Sequence, residues 1–458
     1  MRSLLLGSLL TAILAACGNR PPATSGSAAG GTAGGTDGGA DAGASPGSPG
    51  GYPTVACEEP GQIDPWAPVA GDFSVPADLG RILACEHSAT VATSSPPYDE
   101  FVIQYVTQGP VGTLHRASAL LYLPSGESDG GVPLVAVDHG TSGMGPSCGP
   151  SHVTAVADYM ALPLVQAGYA VVAPDYVGMG VDEGGVSPYM VGEAEGYAIL
   201  DAVRAMKGFH DPRFDASRLS GELFLAGHSQ GGQATLFAHA LFDPATAGFT
   251  LLGSVSWAPG LGDVRGVGQA MSGGASTNGL GTLLLMGLYG EWSYHGAPPL
   301  SDWLTQSAQA QLPGLLHDQC LAEELTSIPA AWPTFGDALT PPFLAAAQSC
   351  PLNGGSCPSF EPWATELVDA QPGGFTSAEP ALLLQGESDT TVAPETTACI
   401  EKRLQEHQTP VQLCGYAATD HLTIVQNSIG DAIRWMAARR LGQTPDVCPA
   451  PLAESCAP

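Results

Sequence analysis

Short apolar runs alternate with helix-length segments from about residue 100 to residue 441, and this rhythm constrains the fold more than any other feature. Residues 101–106 and 117–123 read as an antiparallel opening pair. Residues 132–137, 170–174, 223–226, 251–257, 381–384 and 411–414 read as buried strands. Helices are expected over residues 153–167, 193–207, 233–241, 395–407 and 423–441. Repeated strand–helix units imply a mostly parallel sheet with helices on both faces, so the fold class is α/β. The rhythm stops between about residues 260 and 374, where helical pieces are broken by Pro and Gly. An irregular insertion between two such blocks is expected to form a largely helical cap over the C-terminal edge of the sheet, where open α/β sheets bind ligands.

The N-terminus follows other rules. Arg2, an apolar run from Leu4 to Leu14 and then small residues read as a signal peptide over residues 1–16. Leu14-Ala15-Ala16-Cys17 resembles the bacterial lipobox, which implies lipidation at Cys17 and an outer-membrane or cell-surface lipoprotein; plain secretion is the alternative. Beyond Asn19 and Arg20, residues 21–51 contain no aliphatic side chain larger than alanine and cannot offset their ordering entropy by burial. The chain thus divides into a signal peptide (1–16), an anchor and linker (17–52), an α/β core in two parts (53–259 and 379–458) and the cap (260–378).

With 44 acidic and 14 basic residues the net charge is −30, which excludes the basic face that nucleic acids require. Apart from Cys17 there are ten cysteines, an even set that implies disulfides in an oxidising compartment. Spacing alone suggests the local pairs Cys350–Cys357, Cys399–Cys414 and Cys448–Cys456. No paired CxxC occurs, so zinc is not expected.

Four serines stand in a G-x-S-x-G pattern: Ser45, Ser128, Ser147 and Ser229. A nucleophile elbow needs a strand before the serine and a helix after it. Ser45 lies in the linker, Ser128 in a polar turn before a strand, and Ser147 in a loop. Only Gly227-His228-Ser229-Gln230-Gly231 has the strand Leu223-Phe224-Leu225-Ala226 before it and an unbroken helical run after it.

A serine hydroxyl is a weak nucleophile and needs a base held in one tautomer by a carboxylate. Asp389 lies just beyond the strand Leu382-Leu383-Leu384, with Glu387 as its competitor. His421 lies in the loop after the next strand, beside Asp420, which reads as an exposed loop carboxylate. The oxyanion donors expected are the N–H groups of Gln230 and of Thr141 in Asp138-His139-Gly140-Thr141-Ser142-Gly143. The apolar run Leu283-Leu284-Leu285-Met286 either lines an acyl tunnel or forms cap core.

With Asp138-His139-Gly140-Thr141-Ser142-Gly143, Ala173-Pro174-Asp175-Tyr176-Val177-Gly178-Met179-Gly180, the Ser229 elbow and the Asp389 and His421 loops in place, residues 85–442 resemble α/β-hydrolases of the secretory lipase family, typified by fungal lipase A. The resemblance implies hydrolysis of carboxylic esters, with a small-molecule or lipid ester as substrate and a cap that governs acyl-chain access. It assigns Asp175 and Tyr176 to shaping the pocket or supporting the fold. No metal or organic cofactor is required by this chemistry. A serine peptidase on the same scaffold and a non-catalytic surface binding protein are the alternative readings.

Overall fold

The computed structural model describes residues 54–74, 77–109, 112–126, 130–352, 357–445 and 447–456. The proposed signal peptide, Cys17, the linker and Ser128 lie outside them.

A nine-stranded sheet carries the molecule. Its strands are β1 (Ile82–Val91), β2 (Tyr98–Gln108), β3 (Leu114–Pro124), β4 (Val132–Asp138), β5 (Ala170–Pro174), β6 (Leu219–His228), β7 (Thr250–Trp257), β8 (Ala381–Gly386) and β9 (Val411–Tyr416), in the spatial order β1-β2-β3-β5-β4-β6-β7-β8-β9. Antiparallel pairing joins β1, β2, β3 and β5, and every neighbouring pair from β5 to β9 is parallel. The mostly parallel α/β sheet expected from the sequence is therefore present. β1 was not legible in the sequence because Cys85, Glu86 and His87 interrupt any apolar run, although all three are buried.

Successive strand residues point to opposite faces, which accounts for the unbroken apolar strands. In β4, Leu134 and Ala136 join one core, with helix α1 (Gly192–Ala205) and helix α2 (Gln230–Leu241) above them. Val135 and Val137 join the opposite core, with helices at Ala155–Gln166 and Ile424–Arg440. β8 repeats the pattern, Leu382 and Leu384 facing one way, Ala381 and Leu383 the other.

Between β7 and β8 the chain leaves the sheet. It forms helices α3 (Leu280–His295), α4 (Gln306–Asp318), α5 (Leu321–Ala331) and α6 (Pro341–Ser349), among shorter helical turns. Trp303, Leu312, Leu316, Ile328, Trp332 and Phe335 are buried together there, so this region has its own apolar core.

Five disulfides form: Cys57–Cys85, Cys148–Cys320, Cys350–Cys357, Cys399–Cys456 and Cys414–Cys448. Cys350–Cys357 follows the local expectation. The expected pairs Cys399–Cys414 and Cys448–Cys456 are wrong. After the last helix the C-terminal tail turns back along the outer edge of β9, where the Gly415 N–H donates to the Ala450 carbonyl at 2.9 Å and Cys414 bridges Pro451. That return path brings Cys448 to Cys414 and Cys456 to Cys399, and it covers a sheet edge that would otherwise offer unpaired backbone groups.

Candidate active site

β6 ends in a turn that only glycine permits at two positions. A Cβ on Gly227 would sit 2.2 Å from the Gly231 carbonyl oxygen, and one on Gly231 would sit 1.8 Å from the Asp138 carbonyl oxygen. Between them Ser229 adopts φ 59°, ψ −117°, a strained conformation for a residue with a side chain. The strain is held by backbone bonds: the Ser229 N–H donates to the Trp257 carbonyl at 2.9 Å, and the Ser229 carbonyl accepts from the N–H groups of Gly260 and Gln233.

His421 stands 32 residues from Asp389 and 192 from Ser229 in sequence, yet its ring meets both. His421 Nδ1 lies 2.7 Å from Asp389 Oδ2, and His421 Nε2 lies 2.9 Å from Ser229 Oγ. With the Nδ1–H donating to the carboxylate, Nε2 is the lone-pair nitrogen that accepts from the serine hydroxyl. Asp389 is 4% exposed and fully occupied: Oδ1 accepts from the N–H groups of Thr391 and Val392, and Oδ2 also accepts from Gln385 Nε2. Gln385 is in turn fixed by a hydroxyl bond from Thr397 and by its own bonds to the Gly386 and Val392 carbonyls. The sequence reading missed Gln385, a polar residue in a fully buried strand and thus a signal in plain view.

The competing carboxylates do other work. The Glu387 carboxylate lies against Gly415, where an added Cβ would sit 2.9 Å from it, and the His421 ring bonds Asp389 instead. Asp420 is exposed and accepts from Leu422, Thr423 N–H and the Thr423 hydroxyl, fixing the turn that carries His421. Asp175 is fully buried and accepts from the Ser118 hydroxyl and the Ser151 N–H. Tyr176 stacks on His139 and donates to the His139 carbonyl, so both residues brace the loop after β4 rather than line the pocket.

Gln230 opens α2, where the first N–H groups lack helical partners. The Thr141 hydroxyl is 2.9 Å from Tyr189 OH, and Tyr189 lines the cavity beside Ser229. The loop beyond Thr141 is stitched to α5: the Leu321 N–H donates to the Ser142 carbonyl, and Cys148 is disulfide-bonded to Cys320.

A cavity of about 260 Å³ opens beside Ser229, with Met190, Gln230, Leu261 and Leu367 among its walls. One face of α3 supplies Leu280, Leu283, Leu284, Gly287, Leu288 and Glu291, a run at helical spacing. Leu280 stands at the rim, 51% exposed, and Glu291 lies at the buried end. The run at 283–286 is divided: Leu283 and Leu284 face the cavity, whereas Leu285 and Met286 are buried in the insertion's core. Met190, at φ 64°, is held by its N–H donating to Glu195 Oε1 and its carbonyl accepting from Gln233 Nε2.

The family model for secretory lipases matches residues 150–339. A segment of 110 residues is 33% identical to lipase A of Moesziomyces aphidis, covering 23% of this chain and 21% of that protein, so the match spans about a fifth of that relative's length. The chain has an α/β-hydrolase fold, and its residues 150–339 are similar to the secretory lipase family. Its fold is similar to Candida antarctica lipase A in its closed state (TM-score 0.64, 16% identity, 82% of this chain and 86% of that one). It is also similar to the rice cell wall degrading esterase LipA from Xanthomonas oryzae (TM-score 0.63, 18% identity, 80% and 99%) and to a putative hydrolase from Legionella pneumophila (TM-score 0.64, 19% identity, 80% and 100%). Five disulfides accord with a secretory chain that is exported to an oxidising compartment. Among the described residues no helix is long and apolar enough to cross a membrane, and no cluster of three or more His, Cys, Asp or Glu is arranged to hold a metal.

Buried carboxyls lie beside this site, and sequence reasoning missed them. Glu195, on the apolar side of α1, accepts from Gln230 Nε2 at 2.6 Å. Burial pushes its carboxyl up to about 8. In the unfolded chain the group ionises near the ordinary value of 4.5. Between those pH values the folded state holds the extra proton, so stability falls as pH rises through the window. Glu195→Gln keeps an acceptor and removes the titration. The variant is expected to gain up to about 4 kcal/mol relative to wild type between pH 5 and pH 8, read from denaturant melts at both pH values. A wild-type minus variant difference that does not change with pH would refute the assignment.

Proposed function

We propose that this chain is a serine hydrolase that cleaves carboxylic esters, a lipase or esterase working through an acyl-enzyme. The observation that supports it is the position of the His421 ring, within hydrogen-bond reach of both Asp389 and Ser229. Ser229 Oγ attacks the ester carbonyl as His421 Nε2 takes its proton, and Asp389 steadies the imidazolium that results. The Gln230 and Thr141 N–H groups receive the oxyanion. His421 returns the proton to the leaving alcohol, and a water activated by the same nitrogen then releases the acid.

The largely apolar cavity favours an acyl chain as the occupant, with the insertion between β7 and β8 acting as the cap. Ser229→Ala is expected to lower hydrolysis of p-nitrophenyl esters about a thousandfold or more and to abolish fluorophosphonate labelling. Turnover of aminoacyl-nitroanilides without ester turnover would favour the peptidase, and a folded wild type that does not label would favour a binding protein.

Gly287 identifies the part of the cavity that sets chain length. A mid-helix glycine costs about 1 kcal/mol relative to alanine, and here an added Cβ would meet nothing within 4 Å. The space it leaves is the cavity itself. Gly287→Leu should therefore fold and shift the p-nitrophenyl ester profile towards short acyl chains; an unchanged profile would place the chain elsewhere.

The lipobox-like Leu14-Ala15-Ala16-Cys17 supports a second proposal, that the mature protein is held to a membrane through a lipid on Cys17, with residues 18–51 as its tether. Cys17→Ser is expected to release the protein from the membrane fraction, and unchanged fractionation would exclude the anchor.

A further inference from the structure

His228, the residue between Gly227 and the serine, takes no part in the chemistry above, yet it touches the base. Its Nε2 lies 2.9 Å from the backbone carbonyl oxygen of His421, and its Nδ1 lies 3.2 Å from Tyr159 OH. The two contacts fix the tautomer. A carbonyl only accepts, so Nε2 must carry the proton, and Nδ1 is then the acceptor for the Tyr159 hydroxyl. The Tyr159 hydroxyl also lies against Gly140, the residue before Thr141, where an added Cβ would sit 3.6 Å from it. One chain of hydrogen bonds therefore runs from the helix Ala155–Gln166, through the elbow, to the backbone of the loop that carries His421.

Resting on the serine hydrolase reading, we propose that His228 and Tyr159 are positioning residues that clamp the His421 backbone so that its ring keeps its aim at Ser229. The ring has two other attachments. The bond to Ser229 Oγ is lost as soon as that oxygen is acylated. Asp389 then holds Nδ1 alone, and a ring pinned at one atom can still pivot. The His228 bond acts on the backbone instead, and nothing in the reaction consumes it.

The clamp must also stay uncharged. The rings of His228 and His421 are 4.7 Å apart, so a second imidazolium there would oppose the one formed in catalysis. Burial, reinforced by the neighbouring His421, holds His228 well below the ordinary histidine range.

The test uses the full chain with a p-nitrophenyl ester, with thermal melts to establish folding. His228→Phe keeps a buried ring and removes the donor; kcat is expected to fall about tenfold or more with KM within about twofold. His228→Gln places an amide N–H near the former Nε2 and should restore most of kcat. Tyr159→Phe, which removes a single hydroxyl, should lower kcat several-fold at unchanged KM. A folded His228→Phe with wild-type kcat, or a Gln variant as impaired as the Phe variant, overturns the clamp while leaving the ester reading intact. If His228→Phe does not fold, Tyr159→Phe decides, and an unchanged kcat there overturns the clamp. A wild type that neither turns over esters nor labels with fluorophosphonate overturns both.

Discussion

The close approach of the Ser229 turn to the end of β4 governs the rest of the site. With Gly231 pressed on the Asp138 carbonyl and Gly227 pressed on Gly231, the chain has no room for a Cβ at either position. This crowding forces Ser229 into positive φ and raises its hydroxyl above the sheet edge. The same crowding sets the loop after β4 against the start of α2, where Gln230 follows the serine. Local strain of this kind persists only where surrounding contacts over-determine it, and the Trp257 and Gly260 backbone bonds do so here.

Around that turn the polar groups are arranged in layers of support. Asp389 has no free hydrogen-bonding capacity left for water, because two N–H groups, Gln385 and His421 occupy it. Glu195 holds both Gln230 and Met190 and does so as a buried acid. A buried polar group that is satisfied rigidifies its neighbours, whereas one left unpaired is costly. The network therefore fixes the geometry at the expense of pH-dependent stability.

The insertion between β7 and β8 is neither a loose flap nor an extension of the sheet. It has an apolar core of its own, and Cys148–Cys320 ties it covalently to the loop after β4. One face of α3 packs inward and the other lines the cavity. Any opening of the pocket must then occur by displacement around that fixed point, not by release of the whole insertion.

The linear order of residues determined the α/β class, because uninterrupted Val- and Leu-rich segments can only be strands covered on both faces. It also singled out Ser229 among four matching motifs, since a strand–turn–helix context is local and readable from neighbours. It nominated Asp389 and His421 by their place after strands, but it had no means of measuring whether a ring would reach an oxygen 192 residues away. Only tertiary structure decided that distance, the partners of Gln385, Glu195 and His228, and which face of α3 meets the cavity. Each depends on packing between elements distant in sequence, and a polar residue looks the same in a list whether it meets water or a partner. The two misplaced disulfides have the same origin: Cys448 and Cys456 are near each other in the chain, but the tail's path along β9 carries each to a different, remote cysteine.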